Sequence, residues 1–201
     1  MGIQVSYRRL SEPELDSLEA DPRQAMEFLF SSSMPSIDPE VMAAILADPE
    51  TMQQKAAELL AAMQQAPADT SRVDLDSDWH ALHFLLTGDN SMEPSYDEDD
   101  PLHNVVMGGH PTKVEATYGP ARCFSQVEVY DMVQALSEIT VEELRARFSA
   151  DEFNAARIYP NPRPGGWNAE EVEGVFHLYP RLCQLFKDAL KNNELVLVYA
   201  G

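Results

Sequence analysis

Apolar and polar residues alternate with period two from the first residues on, and Ile3, Val5 and Tyr7 share one face of a predicted strand. Ser11-Glu12-Pro13-Glu14 then carries the marks of a helix start: a serine cap, early acids and an early proline. Residues 21–31 continue as a second helical piece, and SSSMPSIDPE reads as a linker. Strong helix formers dominate from Asp38 to Gln65, broken at Pro49 into two predicted helices. Val41, Ile45 and Leu46 stripe the first of these, and Leu59, Leu60 and Met63 the second. QQAPADTSRVDLD reads as a loop.

The segment SDWHALHFLLTGD (residues 77–89) predicts a short helix capped at Asp76 or Ser77 and stopped at Gly88. Trp79, Leu82, His83 and Leu86 fall on one face, while Phe84 and Leu85 cover much of the rest. A helix apolar nearly all round belongs in the core. His83 is therefore expected to be buried beside Trp79 with a ring nitrogen hydrogen-bonded, and His80 lies at the edge of the stripe. After the polar loop of residues 89–101, Leu102 to Met107 reads as a short strand ending at Gly108-Gly109. KVEATYGPARCFS comes next as an extended stretch turning at Gly119-Pro120.

Capping-box pairs open the later helices: Ser125 with Glu128 and Thr140 with Glu143, while Ser149 starts a third short one. NPRPGGW is a loop. Asn168 with Glu171 begins a long helix that Pro180 should kink or divide and Asn192-Asn193 should end. Glu194 to Tyr199 is a closing strand, apolar enough to be central. These elements predict a single α+β domain over residues 1–201. Its small sheet includes both terminal strands and is flanked by helices, and residues 25–70 form an extra helical segment within it.

A chain of 201 residues can bury one full core, and its composition is that of a globular protein. No apolar run reaches the roughly eighteen residues of a membrane span, and MGIQVSYRRL lacks the apolar stretch of a secretory signal, so a cytoplasmic location is expected. Met1-Gly2 with Ser6 fits the N-myristoylation template, but the same residues are claimed by the first strand. Cys123 and Cys183 stand among apolar neighbours and read as buried free thiols.

The net charge of −20 is unevenly spread: acids outnumber bases 11 to 4 in residues 1–60, 11 to 2 in 61–120 and 12 to 8 in 121–201. Such a surface repels nucleic acid and anionic membranes and attracts basic proteins. The acid-rich loop lacks the alternation and central glycine of a calcium loop. His80 and His83 lack a further ligand nearby in sequence. No metal and no cofactor is expected on these grounds.

W-H-A-L-H-F-L-L-T-G at 79–88, D-P-L-H-N-V-V-M-G-G-H at 100–110, Y-G-P-A-R at 118–122 and I-Y-P at 158–160 together resemble the YfbM-like bacterial proteins. The likeness extends to the opening MGIQVSYRRL and the closing helix and strand, and leaves out roughly residues 25–70. The resemblance implies a bacterial, cytoplasmic α+β protein with no established activity.

No P-loop, dinucleotide-binding glycine motif or nucleophile elbow is present. The polar residues inside these motifs, His83, Tyr118, Arg122 and Tyr159, form the candidate pocket. In it Arg122 would pair an anionic group and His83 would exchange a proton. The competing structural role is that Arg122 pairs an acid and the tyrosines close core edges. The functional expectation is a non-catalytic binding or interaction protein, in particular an acidic inhibitor of a basic partner acting through residues 69–100. The alternative is an enzyme or pocket for a small anion built on His83 and Arg122, and a structural homo-oligomer without a ligand is the third class.

Overall fold

The computed structural model describes residues 2–30, 70–160 and 165–201. The predicted linker at 31–40, the two predicted helices between 38 and 65 and the start of the NPRPGGW loop lie outside the described residues. By its contacts the chain divides into one compact unit, Met1–Met26 with Thr70–Gly201, and a second, Glu27–Asp69. Every strand of the sheet belongs to the first unit.

Five strands form one antiparallel sheet in the order β2-β1-β5-β4-β3. They are β1 (Val5–Leu10), β2 (Arg72–Asp76), β3 (His110–Ala116), β4 (Gly119–Phe124) and β5 (Leu195–Ala200). The two terminal strands lie side by side, from Val5 opposite Ala200 to Leu10 opposite Leu195. The central place of β5 explains its composition. Val196 and Val198 join the main core on one face, while Leu197 and Tyr199, pointing the other way, are buried too.

Eight helices occur among the described residues: α1 (Glu12–Ala20), α2 (Pro22–Phe30), α3 (Trp79–Thr87), α4 (Pro101–Met107), α5 (Gln126–Ser137), α6 (Val141–Arg147), α7 (Ala150–Ala155) and α8 (Glu173–Asn192). The capping boxes at Ser11, Ser125 and Thr140 each close with the glutamate three residues on. Regular helix in α8 starts at Glu173, because Asn168 caps a preceding turn, and Pro180 on its exposed side does not divide it. Val175, Leu182, Leu185 and Phe186 hold α8 in the core through that point.

Two elements differ from expectation. Residues 102–107 are helical, not extended. Asp100 Oδ1 accepts from the backbone N–H groups of Leu102 and His103, and Pro101 opens the helix, so local start chemistry overrides the β-branched Val105-Val106 pair. Residues 72–76 are a strand rather than loop. Val73 and Leu75 alternate into the core while polar neighbours face out, and pairing with β1 supplies the order a five-residue segment lacks alone. The α+β sheet with both termini inside it is as expected.

Candidate functional site

The two histidines of α3 have separate tasks. His80 is the satisfied core histidine. Tyr159 N–H donates to its Nδ1 at 2.9 Å, which leaves Nε2 as the protonated nitrogen facing the Asn90 carbonyl at 3.1 Å. The Trp79 ring stacks on it at 5.2 Å between centroids. Burial pushes the His80 imidazole below its ordinary value, so it stays neutral.

His83 departs from expectation in every respect but burial. It is wholly buried, yet neither ring nitrogen has a hydrogen-bond partner, and its ring neighbour is His103 at 5.1 Å rather than Trp79. Its Nε2 lies 3.5 Å from Asp89 Oδ2, an electrostatic contact without hydrogen-bond alignment. Burial, reinforced by His103 and opposed by Asp89, pushes the His83 imidazole down to about 4.

Gly88 brings Asp89 back toward that ring. Its φ of 76° ends α3 in the left-handed conformation and reverses the chain. Ser91 then ties Asp89 Oδ1 with both its N–H (3.1 Å) and its hydroxyl (2.9 Å). His103, in the first turn of α4, places Nδ1 3.9 Å from Asp89 Oδ2 and sets Nε2 2.9 Å from Ser95 Oγ. One donor atom from each of His83, Asp89 and His103 lies within 4.8 Å of the others. No ligand motif near His83 in sequence announces this grouping. Asp89 is six residues away and His103 twenty, and the two helices bring them together.

Among the described residues, Arg122 pairs with no acid. Its guanidinium receives the carbonyls that end α4, with Nη1 donating to Met107 and Gly108 and Nη2 to Val106 at 3.2 Å. A fork of donors on a helix C-terminus satisfies both the orphan carbonyls and the dipole. Burial lowers the Arg122 pKa, with Tyr7 opposing. Tyr159 is also structural: its hydroxyl accepts from Ile3 N–H at 2.7 Å and its ring lies 5.7 Å from Trp79. Burial, with Glu128 and Glu19 adding to it, pushes the Cys123 thiol up to about 12, which keeps it protonated at neutral pH.

Of the four predicted pocket residues, Tyr118 and Arg122 line one cleft of about 350 Å³, and His83 and Tyr159 are not among its walls. Ser95, Tyr96, His110, Tyr118 and Tyr199 supply its polar groups, with Pro94, Pro111 and Pro120 between them. Tyr96 packs on His110 at 4.8 Å, and His110 Nε2 stands 3.0 Å from Glu128 Oε1. Tyr96 and Tyr118 are 41% and 52% exposed, so their rings form an open rim. Partial burial, then the charge and hydrogen bonding of Glu128 and the charges of Glu98 and Asp131, raise the Tyr96 pKa, while the cleft walls themselves hold no acid. Sequence reasoning missed Tyr96, His110, Asp89 and His103. Tyr96, His103 and His110 flank the α4 start and the Gly108-Gly109 turn, and Asp89 directly follows the Gly88 stop of α3.

Fold and site define an antiparallel α+β domain with a tyrosine-rimmed cleft at one end of its sheet and a buried histidine cluster behind Ser95. Residues 1–199 match the family described as a domain of unknown function, DUF1877. The chain belongs to that family. It is 33% identical over 103 residues to Protein YfbM of Escherichia coli (strain K12), a stretch covering 51% of this chain and 58% of that protein. The fold is similar to the crystal structure of a protein of unknown function, YfbM from Escherichia coli, with a TM-score of 0.58 and 19% identity over 98% of this chain and 99% of that one. No helix among the described residues is long and apolar enough to cross a membrane.

Proposed function

We propose that the chain is a non-catalytic binding protein that takes lysine or arginine side chains of a basic partner protein on the exposed tyrosine rim of this cleft, on the side where Glu98, Glu128 and Asp131 stand near Tyr96. The observation that carries this reading is the open rim itself: the rings of Tyr96 and Tyr118 are 41% and 52% exposed, with acids near Tyr96. A cation laid on an exposed tyrosine face gains about 0.5–1 kcal/mol, and more once desolvated. Tyrosine is also a preferred anchor at interfaces. The net charge of −20 would steer such a partner and raise its association rate, with the acids of residues 69–100 extending the field. Nucleic acid and anionic membranes are disfavoured by the same charge.

The alternative, a small-anion site or enzyme on His83 and Arg122, has less support. The guanidinium is committed to three carbonyls, and His83 is not a wall of the cleft.

The test begins with capture from a lysate of the source cells at low and high salt, then measures association kinetics with the retained protein. Glu98→Gln with Asp131→Asn should slow association several-fold and flatten its salt dependence, while Tyr96→Ala with Tyr118→Ala should speed dissociation. Asp97 and Asp100 are left intact, because Asp97 holds the Asp99 N–H and Asp100 caps α4. Unchanged kinetics in both double variants would refute the cleft as the binding surface.

A further inference from the structure

Beside the cleft lies a set of donors that its proposed role in partner binding does not use. His83 is the anomaly. A wholly buried imidazole with no hydrogen bond at either nitrogen has only the 3.5 Å contact with Asp89 to offset its lost hydration, and native cores rarely tolerate that. A carboxylate oxygen stands 3.5 Å from its Nε2, and a second imidazole packs against the ring. We propose that His83 Nε2, Asp89 Oδ2 and His103 Nδ1 form a binding site for one divalent first-row transition metal ion, with zinc the best fit to two imidazoles and a carboxylate.

The geometry is close to what such an ion needs. Tetrahedral bonds of about 2.0–2.1 Å set neighbouring donor atoms roughly 3.3–3.5 Å apart. Asp89 Oδ2 stands 3.5 Å from His83 Nε2 and 3.9 Å from His103 Nδ1. The separation between the two imidazole donors, within 4.8 Å, closes by rotation of the partly exposed His103 side chain. The outer partners are in place as well. Ser91 occupies Asp89 Oδ1 and leaves Oδ2 for the ion. With Ser95 Oγ accepting from a protonated Nε2, His103 keeps its Nδ1 lone pair free, which is the arrangement that orients metal-binding histidines. Neutral His83 likewise offers a lone pair at pH 7. His83 Nδ1 gains nothing from the ion and stays without a partner.

Three protein donors leave a coordination position open. The 39% exposure of the Asp89 side chain gives an ion and a water access to it. Magnesium and calcium prefer all-oxygen shells and are not expected to compete.

The probe is zinc itself, added to untagged full-length protein stripped with a chelator, with cobalt as its spectroscopic substitute. One equivalent should bind, raise the melting temperature, and give with cobalt the intense visible bands of a low-coordinate site. Asp89→Asn and His103→Ala change partly exposed side chains, and both should weaken binding by more than the roughly 10–100-fold that loss of an outer partner causes, the range expected for Ser95→Ala. His110→Ala and His177→Ala should bind as the parent does. Absence of stoichiometric binding overturns the proposal, and so does binding that survives both ligand substitutions. A six-coordinate cobalt spectrum in the parent overturns it even where a variant fails to fold. The partner-binding assay is run without metal, so either reading can fail alone.

Discussion

His80→Leu should destabilise the metal-free protein by about 2–3 kcal/mol, whereas His83→Leu should leave it within about 1 kcal/mol of the parent. Two side-chain interactions vanish at position 80. The Tyr159 N–H loses its acceptor and the Asn90 carbonyl its donor. The half-buried N–H then carries a desolvation cost of about 1–3 kcal/mol, while the exposed Asn90 can turn to water. At position 83 no hydrogen bond is lost, and an apolar side chain removes two buried nitrogens that lack hydrogen bonds, giving up only the contact with Asp89. Urea unfolding reads the contrast. With a slope near 2 kcal/mol per molar, the two midpoints should differ by about 1 M. Equal midpoints, or a larger loss at position 83, would mean that the roles of the two histidines are reversed.

Arg122→Met should lower stability by about 3 kcal/mol with no ligand present. Three carbonyls at the end of α4 lose a charged donor, and interactions of this kind contribute about 1.5–3 kcal/mol each before solvent takes their place. Arg122→Lys should rescue only part of the loss, since one ammonium cannot span three acceptors in fork geometry. Chemical denaturation of the two variants measures this directly. An Arg122→Met protein as stable as the parent would return the residue to the role of a ligand-pairing cation.

The parts of the fold legible in the sequence are those with short-range causes. Ser125, Thr140 and Ser149 each open a helix with chemistry contained in four residues. The Gly119 turn and the Gly88 stop are set by positive φ at a single residue. The strand of residues 72–76 is different: its neighbour β1 lies more than sixty positions earlier, so its pairing has no local trace. Helix α4 is signalled by Asp100-Pro101, and the β-branched pair behind it argues the other way. That one element also hides the site. As a strand, residues 102–107 would send alternate side chains to opposite faces. As a helix, they put His103 in the first turn beside His83 and end on carbonyls that take up Arg122. The resemblance to YfbM-like proteins supplies the fold and is silent on which polar residues meet.

The division of labour among the α3 and α4 histidines is tested most directly by a long-range nitrogen–proton spectrum of the imidazoles, recorded before and after one equivalent of zinc. Before zinc, His80 should appear as the neutral tautomer protonated at Nε2, as the Tyr159 donor requires. On adding zinc, the nitrogens of His83 and His103 should shift together in slow exchange while those of His80 stay in place. Shifts confined to the surface residues His110 and His177, or a His80 ring that moves with the metal, would contradict it.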